Sequence, residues 1–481
     1  MSTATASAAP RPGPEPRRWD WVLVGLLVVS FALRLILALH GGQRYYPDES
    51  RFSAAIEALK GFDTHSWHDF AEPLVATADH LGYKILMLPV AWGAYYWHWS
   101  LPLLAMLSSG IFSTANVAWV YALARRKGGG RAEARWSALF MAASCSMFYW
   151  SRHLMPYDLA LFLGLAALFV SVHPSGRWFH SLAAGFLGFA TFVTYNGYWS
   201  LVAFVLTAHV LSAWPGSGKF WAALGRAWWA LVGLVLPFVG LLFLARGFGY
   251  YLLDSYMGFS GTISQGDFGD GHTIVAEYLW AAEKGLCLVW LICAAKYLFS
   301  FRTFSAAERA RFGLWLAGAL GIALGLILLC DVVHKFVVYG RLVRQVVPFA
   351  SLLAGGVVAA WLPRRPAWQL AVAAGIVAMA AGNFWQPLAQ RWNFHELALR
   401  TRDRYLNARH ELTPDRFMIL NENFIWPTPV KYDLPPYEVL LSEPHVLQFR
   451  PLLYEGFNRA QRKEILATDI TMRLVLLPPR R

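Results

Sequence analysis

Residues 21–50 read WVLVGLLVVSFALRLILALHGGQRYYPDES, an apolar run followed at once by a polar segment. The apolar part, Trp21 to Leu39, approaches the ~20 residues that an α-helix needs to cross a bilayer core about 30 Å thick. It carries Arg34, and no small-residue cleavage site follows it, which favours a retained membrane helix over a signal peptide. The polar part ends in the adjacent carboxylates Asp48 and Glu49, directly outside this helix.

Similar apolar runs recur along the chain. Of its 481 residues, 57% are hydrophobic and only 15% are charged, whereas a soluble domain carries about 25% charged residues. This excludes an ordinary soluble enzyme and predicts a polytopic α-helical membrane protein. We predict about eleven transmembrane helices, centred in residues 21–39, 101–123, 135–151, 156–173, 178–195, 197–213, 222–245, 276–299, 312–331, 345–362 and 367–385.

The net charge is +13, and the distribution of the Lys and Arg residues among the loops predicts the orientation of the helices. With the disordered tail 1–18 in the cytoplasm, the tail and the predicted cytoplasmic loops hold sixteen Lys and Arg residues, as short cytoplasmic loops do. The first outer loop, 41–100, is acidic by contrast. Its apolar stretch Tyr83 to Trp99 is either a twelfth span or a helix on the outer face. We favour the second interpretation, because a twelfth span would move the basic loop Arg125 to Arg135 outside.

The composition changes near residue 386. Residues 386–481 are rich in charge and proline and contain alternating segments such as Met472 to Leu477, which predicts a small soluble α/β domain. An odd number of spans puts it on the outer, periplasmic side. The four cysteines fall in or beside predicted spans, so no disulfide framework is indicated, and no motif suggests nucleotide hydrolysis or nucleic-acid binding.

The first candidate site is the segment Tyr45 to Ser50, which holds Asp48 and Glu49 before an amphipathic helical pattern. A carboxylate at the membrane surface is suited to act as a general base toward a hydroxyl or an amine. A structural interpretation competes, because Asp48 is also a favourable helix N-cap.

The second candidate site is the hairpin Ser151 to Asp158, between the third and fourth predicted spans. Asp158 is predicted at or below membrane level, where ionisable groups are costly and usually functional. An ion pair between Arg152 and Asp158 would satisfy both side chains, and it is compatible with a functional role.

The third candidate site is the segment Asp331 to Pro348, where Lys335, Arg341 and Arg344 face outward against the usual bias. Anchoring to lipid headgroups and pairing with the acidic first loop are two explanations. A third is a site for a phosphate at headgroup height, for which Lys and Arg are the usual donors.

The fourth candidate site is the predicted outer loop Gly247 to Thr273. It is longer than a compact connection requires, which indicates a lid or a substrate loop. Its His272 is either a surface residue or a substrate contact.

These four features, in this order, resemble the GT-C glycosyltransferases that use a lipid-linked sugar, especially the protein O-mannosyltransferases and the bacterial lipid A aminoarabinose transferase. Asp48-Glu49 match the acidic motif of their first outer loop. The segment Tyr149 to Asp158 is similar to their aromatic-Arg pattern followed by an Asp. The segment His334 to Pro348 is similar to their basic, Pro-containing segment. The chain departs from them at 81–84, where relatives often have Pro-Pro-Leu, and residues 386–481 match no family known to us.

The resemblance implies a GT-C-like fold in residues 19–385 and an enzyme that transfers a sugar, with inversion, from a polyprenyl monophosphate to a hydroxyl or amine acceptor. It implies Asp48 as the base, Glu49 as the residue that orients the acceptor or the first helix, and Asp158 as a contact of the sugar. The implied substrate-binding residues are Arg152, Tyr46, His272, Lys335, Tyr339, Arg341 and Arg344.

The resemblance also implies the bacterial inner membrane as the location and membrane lipids as neighbours, with the acceptor left open. It requires no cofactor, although Asp48 and Asp158 offer a position for a divalent cation. Three other functions remain open: a lipid or solute transporter, a transferase with a pyrophosphate-linked oligosaccharide donor, and a membrane-anchored scaffold.

Overall fold

The computed structural model describes residues 19–39, 50–76, 78–173, 177–212, 220–264, 271–334, 338, 340–363, 365–389, 417–421 and 472–476. Five residues predicted to form the site lie outside these ranges: Tyr46, Asp48, Glu49, Lys335 and Tyr339.

The described chain is almost entirely helical. Its first part forms α1 (Trp21–Leu39), α2 (Ser50–Asp63), α3 (Trp67–Val75), α4 (Leu81–Leu86), α5 (Leu88–Tyr96), α6 (Leu101–Ala105), α7 (Ile111–Arg126), α8 (Arg131–Ala143), α9 (Cys145–Tyr149) and α10 (Tyr157–Ser171). The second part forms α11 (Trp178–Thr194), α12 (Trp199–Leu211), α13 (Phe220–Gly247), α14 (Leu252–Ser264), α15 (Gly271–Glu283), α16 (Gly285–Phe299), α17 (Ala306–Ile327), α18 (Gly340–Val343), α19 (Val347–Trp361) and α20 (Pro366–Ala389). Single π-helical turns follow α6 and α17, and 3-10 turns lie at Trp150–Arg152, Asn196–Tyr198, Phe301–Thr303 and Arg344–Val346.

Six helical segments of the described chain are long and apolar enough to cross a membrane, which makes the protein a helical membrane protein. Helices α15 and α16 meet that criterion only together, and they are bent by 116° at Lys284. The six segments are Trp21–Leu39, Leu103–Arg126, Phe220–Gly247, Ala306–Val332, Gly340–Trp361 and Pro366–Trp385. Helix α10, helix α11 and the segment Asn196–Leu211 are apolar but shorter.

Every stretch predicted to be a span contains helix, but two stretches are interrupted. The stretch 135–151 divides at Ser144, whose extended backbone separates α8 from α9. The stretch 276–299 divides at Lys284. The predicted outer loop Gly247 to Thr273 is partly helical, because α14 occupies its first half.

Small residues bring helices together at two contacts that organise the bundle. A Cβ atom on Gly185 in α11 would collide with the carbonyl of Ala230 in α13, and one on Gly233 would collide with the carbonyl of Leu182. Small residues permit such close backbone approach between membrane helices. Helix α19 is central, since 89% of its span is buried inside the protein, whereas only 11% of the α13 span is buried.

One end of the bundle gathers segments that the charge pattern predicts to be cytoplasmic. Asp20, at the start of α1, accepts hydrogen bonds from the hydroxyl of Tyr121 (2.8 Å) and from Nε of Arg135 (3.0 Å). Glu133 and Arg311 form a buried two-pronged ion pair with N···O distances of 2.8 Å. The start of α1, the last part of α7, the start of α8 and the start of α17 therefore share one end of the molecule.

The described part of the predicted first outer loop is helical, as the sequence pattern predicts. Helix α2 buries Phe52, Ala55 and Leu59, which recur at helical spacing. Helices α4 and α5 occupy the stretch Tyr83 to Trp99 that we interpreted as a surface helix rather than a span.

Two strands are described in the C-terminal part of the chain. They are β1 (Phe417–Asn421) and β2 (Met472–Leu476), paired antiparallel with Phe417 opposite Leu476. Strand β2 coincides with the alternating segment Met472 to Leu477. The predicted α/β domain around the two strands stays a prediction.

Candidate active site

Asp158 is buried at the beginning of α10, with 1% of its surface exposed. Pro156 precedes the helix, and Asp158 lies in its first turn, where the helix dipole favours a negative charge. The side-chain amide of Asn116 in α7 donates to the backbone carbonyl of Asp158 at 3.0 Å. The carboxylate of Asp158, at the end of the hairpin after α9, therefore lies in the interior of the bundle.

Arg344 supplies the partner of this carboxylate. It begins the 3-10 turn between α18 and α19, and Pro348 then lies in the first turn of α19. The Arg344 Nη2 group donates to Oδ1 of Asp158 at 2.7 Å, and neither side chain is exposed by more than 1%. The second and third predicted sites, which are far apart in the sequence, therefore meet in one buried ion pair.

A second arginine enters the same cluster from the first membrane helix. Arg34 is fully buried and donates to the hydroxyls of Ser30 (2.5 Å) and Ser113 (2.9 Å). The Ser113 hydroxyl in turn donates to the backbone carbonyl of Met147, whose sulfur lies 3.6 Å from Nη2 of Arg344. Arg34, through Ser113, and Arg344 are thus both linked to Met147 of α9.

Three guanidinium nitrogens of these two arginines have no hydrogen-bond partner among the described residues. They are Nη2 of Arg34 and both Nε and Nη1 of Arg344. A buried charged donor that makes no hydrogen bond is strongly disfavoured. Because the missing partners must be acceptors, the cluster is suited to hold an anion.

Arg152 lies beside this cluster. It is 1% exposed and its guanidinium stacks over the ring of Tyr149 at 4.8 Å. Its neighbour His153 is fully buried, and the hydroxyl of Ser109 donates to the His153 carbonyl at 2.5 Å. The predicted residues Arg152 and Asp158 thus share a buried region, and Asp158 has a long-range partner that the hairpin alone does not provide.

Three tyrosines form the next part of the site. The Tyr195 ring packs edge-on against Tyr157 (4.8 Å) and Tyr198 (4.9 Å), and its hydroxyl accepts a hydrogen bond from Nε of Arg341 at 3.0 Å. The guanidinium groups of Arg341, which is 8% exposed, and Arg344 lie 5.8 Å and 5.9 Å from the centre of the Tyr157 ring.

Tyr195 also joins this cluster to the first outer loop. Its ring lies 5.0 Å from that of His80, whose neighbour Asp79 pairs with Arg51 at 2.9 Å and with Lys84 at 3.3 Å. Burial lowers the pKa of the Lys84 ammonium, and the Asp79 carboxylate partly offsets that effect. The start of α2, which follows the Asp48-Glu49 motif, is therefore connected by contacts to the arginine cluster.

His272 occupies a different position from the predicted phosphate ligands. Its side chain is 66% exposed and its Nδ1 lies 2.6 Å from Oδ2 of Asp331. Asp331 also accepts the backbone amides of Gly271 and His272, so it caps the N-terminus of α15. The predicted third and fourth sites therefore touch, but through a helix cap at the surface.

The prediction missed Arg34, Asp79 and Lys84 as members of this connected polar region. Arg34 could have been identified from the sequence, because it is a cation inside the first apolar run. Asp79 and Lys84 could not, because their importance comes from the fold of the first outer loop.

Of the two residues predicted to offer a position for a divalent cation, the structure describes the surroundings of Asp158. Among the described residues, no three His, Cys, Asp or Glu side chains cluster closely enough to hold a metal ion. Asp158 pairs with Arg344 and also interacts electrostatically with Arg34, and such a cationic setting disfavours a divalent cation. The other predicted position, Asp48, lies outside the described residues.

No family model matches the chain, and neither does any curated protein sequence. Among solved structures, it is similar to ArnT from Cupriavidus metallidurans bound to undecaprenyl phosphate, with a TM-score of 0.51 and 16% identity over 76% of this chain. For ArnT in the apo state the TM-score is 0.50 and the identity 17%, again over 76% of this chain. The archaeal oligosaccharyltransferase AglB from Archaeoglobus fulgidus, in complex with an inhibitory peptide and a dolichol-phosphate, gives a TM-score of 0.45 and 12% identity. That match covers 77% of this chain and 56% of AglB.

The matched region covers 64% of the ArnT chain in both of its structures. At these identities the likeness concerns the fold. The membrane helices of this protein therefore have the fold of the GT-C glycosyltransferase ArnT.

Proposed function

We propose that this protein is an inverting glycosyltransferase that moves a sugar from a polyprenyl monophosphate to a hydroxyl or amine acceptor at the outer face of the membrane. The observation that carries the proposal is the buried cluster of Arg34, Arg344 and Asp158, with three guanidinium nitrogens that lack an acceptor. The ArnT fold supports it, because ArnT has been solved with undecaprenyl phosphate bound.

The arginines would bind the phosphate of the donor. Guanidinium groups match phosphate oxygens with paired N–H donors and remain charged at any physiological pH. As the bond between the sugar and the phosphate breaks, its electron pair passes to the phosphate oxygen. Cations already in place where this charge develops are worth several kcal/mol in comparable sites. Lys335 and Arg341 would add to this binding, with Tyr339 beside them.

Asp48 would act as the general base. It precedes Arg51 by three residues, a separation that an extended chain spans in about 11 Å, and Arg51 belongs to the contacts that lead through Asp79 and His80 to Tyr195. In the reaction, Asp48 takes the proton of the acceptor while the acceptor atom attacks the anomeric carbon. Glu49 and Tyr46 would orient the acceptor, and Arg152, Asp158 and His272 would contact the donor.

Attack from the face opposite the phosphate inverts the anomeric carbon. The described arginines supply the positive charge that a metal would otherwise provide, so we propose transfer without a metal ion. This agrees with the cationic surroundings of Asp158.

The proposed topology has eleven spans, a cytoplasmic N-terminus and a periplasmic C-terminal domain in a bacterial inner membrane. The gathering of Asp20, Arg135, Glu133 and Arg311 at one end supports it, because the positive-inside pattern places those segments together in the cytoplasm.

The proposal is tested by transfer from a labelled polyprenyl-phosphate sugar by the purified protein. We expect transfer with inversion by the wild type, and a loss of about 100-fold or more in Asp48→Asn, as for removal of a general base. Full turnover by Asp48→Asn would remove Asp48 as the base. Transfer only from a pyrophosphate-linked oligosaccharide, or transport without transfer, would favour the two alternatives.

A further inference from the structure

Glu283 is a second buried carboxylate, separate from the one at Asp158. It is the last residue of α15, it is fully buried, and Lys284 after it adopts a positive φ of 47° at the bend toward α16. A Glu at the break of two apolar helices is costly unless the surroundings satisfy it.

Among the described residues, the hydrogen-bond partners of the Glu283 carboxylate are donors from the beginning of α9. Its Oε1 accepts from the hydroxyls of Ser144 (2.6 Å) and Ser146 (2.5 Å) and from the Ser146 amide (3.1 Å). Its Oε2 accepts from the Cys145 amide at 2.9 Å. These amides belong to the N-terminal turn of α9, where backbone N–H groups have no hydrogen-bond partner within the helix. The N-terminus of a helix also favours a negative charge.

The segment that Glu283 holds is the one that carries the site. Helix α9 and the following 3-10 turn contain Met147 and Arg152, and Met147 contacts both the Ser113 hydroxyl and Arg344. Helix α15 also contacts the other end of this segment, where the indole N–H of Trp150 donates to the hydroxyl of Tyr278 in α15 at 3.4 Å. Two contacts from α15 therefore fix segment 144–152 at its two ends.

The bend itself is also anchored. Asn383 in α20 donates from its side chain to the backbone carbonyl of Glu283 at 3.0 Å, which satisfies a carbonyl near the end of α15. The Phe384 ring stacks on Phe148 of α9 at 4.1 Å. Helices α9, α15 and α20 thus meet at Glu283.

We propose that Glu283 is a positioning residue that fixes segment 144–152 so that Arg152 and the Met147 contact to Arg344 have the geometry needed for transfer. The inference rests on the proposed function, since it concerns how the same site is held. Glu283 would act only through Arg152 and Arg344, whose interaction with the phosphate strengthens as negative charge develops on it. Their misplacement should therefore lower turnover more than donor binding.

The test compares Glu283→Gln, Glu283→Asp and Glu277→Gln. Glu283→Gln keeps the size of the side chain but removes the charge and turns an N–H donor toward the α9 amides. Glu283→Asp keeps the charge. Glu277→Gln is the control, because Glu277 is an exposed carboxylate of the same helix. We expect Glu283→Gln to lower kcat by about 10- to 100-fold, as for a small misplacement of reacting groups, with the donor KM changed less than about threefold. Glu283→Asp should recover part of the loss, and Glu277→Gln should match the wild type. A Glu283→Gln variant with wild-type kcat, or one no worse than Glu283→Asp, would overturn the inference.

A second measurement decides the matter independently of activity. In hydrogen–deuterium exchange of the purified proteins, peptides that cover 144–152 should exchange faster in Glu283→Gln than in the wild type, and Ser146→Ala should give a smaller increase. Unchanged exchange in both variants would overturn the positioning role, whether or not the wild type transfers sugar. Absence of sugar transfer by the wild type would defeat the proposed function separately. If Glu283→Gln does not fold, the Ser146→Ala comparison decides it.

Discussion

Arg344 donates to the carboxylate of Asp158 at 2.7 Å across 186 residues of sequence, and both side chains are buried. Removal of one partner of a buried ion pair leaves an uncompensated charge, which costs about 3–5 kcal/mol. We therefore expect Asp158→Asn to lower the free energy of unfolding by about that amount, measured by denaturant titration in detergent. The exposed Asp254 provides the control, since Asp254→Asn should change it by less than about 0.5 kcal/mol. Equal stability of Asp158→Asn and the wild type would contradict the importance of the pair.

The second prediction concerns Arg34, whose Nη2 lacks an acceptor among the described residues. Arg34→Gln should weaken the binding of undecaprenyl phosphate by about 10- to 100-fold, as expected for loss of a hydrogen bond to a charged group. The measurement is a binding titration of delipidated protein. Arg177→Gln, which removes an exposed arginine of a predicted cytoplasmic turn, is the matched control and should bind normally. An unchanged affinity in Arg34→Gln would remove Arg34 from the phosphate site.

Of the residues predicted from the sequence, Asp158 and Arg344 form a direct ion pair, and Arg152 and Arg341 are buried near them. Sequence reasoning could identify them individually, because ionisable residues beside apolar spans are conspicuous. It could not pair Asp158 with Arg344, since that contact depends on how α10 packs near the start of α19.

The bend at Lys284 shows a different limit. The stretch 276–299 is apolar enough to predict a straight span, although Glu283 and Lys284 interrupt it. At the break, Ser144 and Ser146 satisfy the buried carboxylate of Glu283, and Asn383 satisfies its backbone carbonyl. Those residues come from two distant segments, so hydropathy along the chain contains no sign of them.

The third prediction concerns Lys84. Its pKa is lowered in the folded protein by burial and is partly restored by Asp79. Because the unfolded chain then binds more protons than the folded one, stability should rise with pH from the lowered pKa toward the usual value near 10.4. Lys84→Met should flatten that rise in the free energy of unfolding. Asp79→Asn should steepen it, because the pKa of Lys84 falls further without the carboxylate. Identical pH profiles in Lys84→Met and the wild type would contradict this account.

The fourth prediction concerns orientation in the membrane. The four cysteines of the chain are buried, so single cysteines at exposed positions report their own accessibility. Thr303→Cys, in a predicted cytoplasmic loop, should react with an impermeant maleimide only after the cells are opened. Thr64→Cys, in the first outer loop, should react in intact cells. The reverse pattern would invert the proposed topology.

The central claim is that the arginine cluster holds the phosphate of a polyprenyl monophosphate. Mass spectrometry of lipid extracted from the purified wild-type protein tests it most directly. We expect a polyprenyl monophosphate, free or carrying a sugar, in the wild type, and its depletion by about tenfold or more in Arg34→Gln. A wild-type protein that carries only pyrophosphate-linked lipid, or an Arg34→Gln variant that retains as much monophosphate as the wild type, would contradict it.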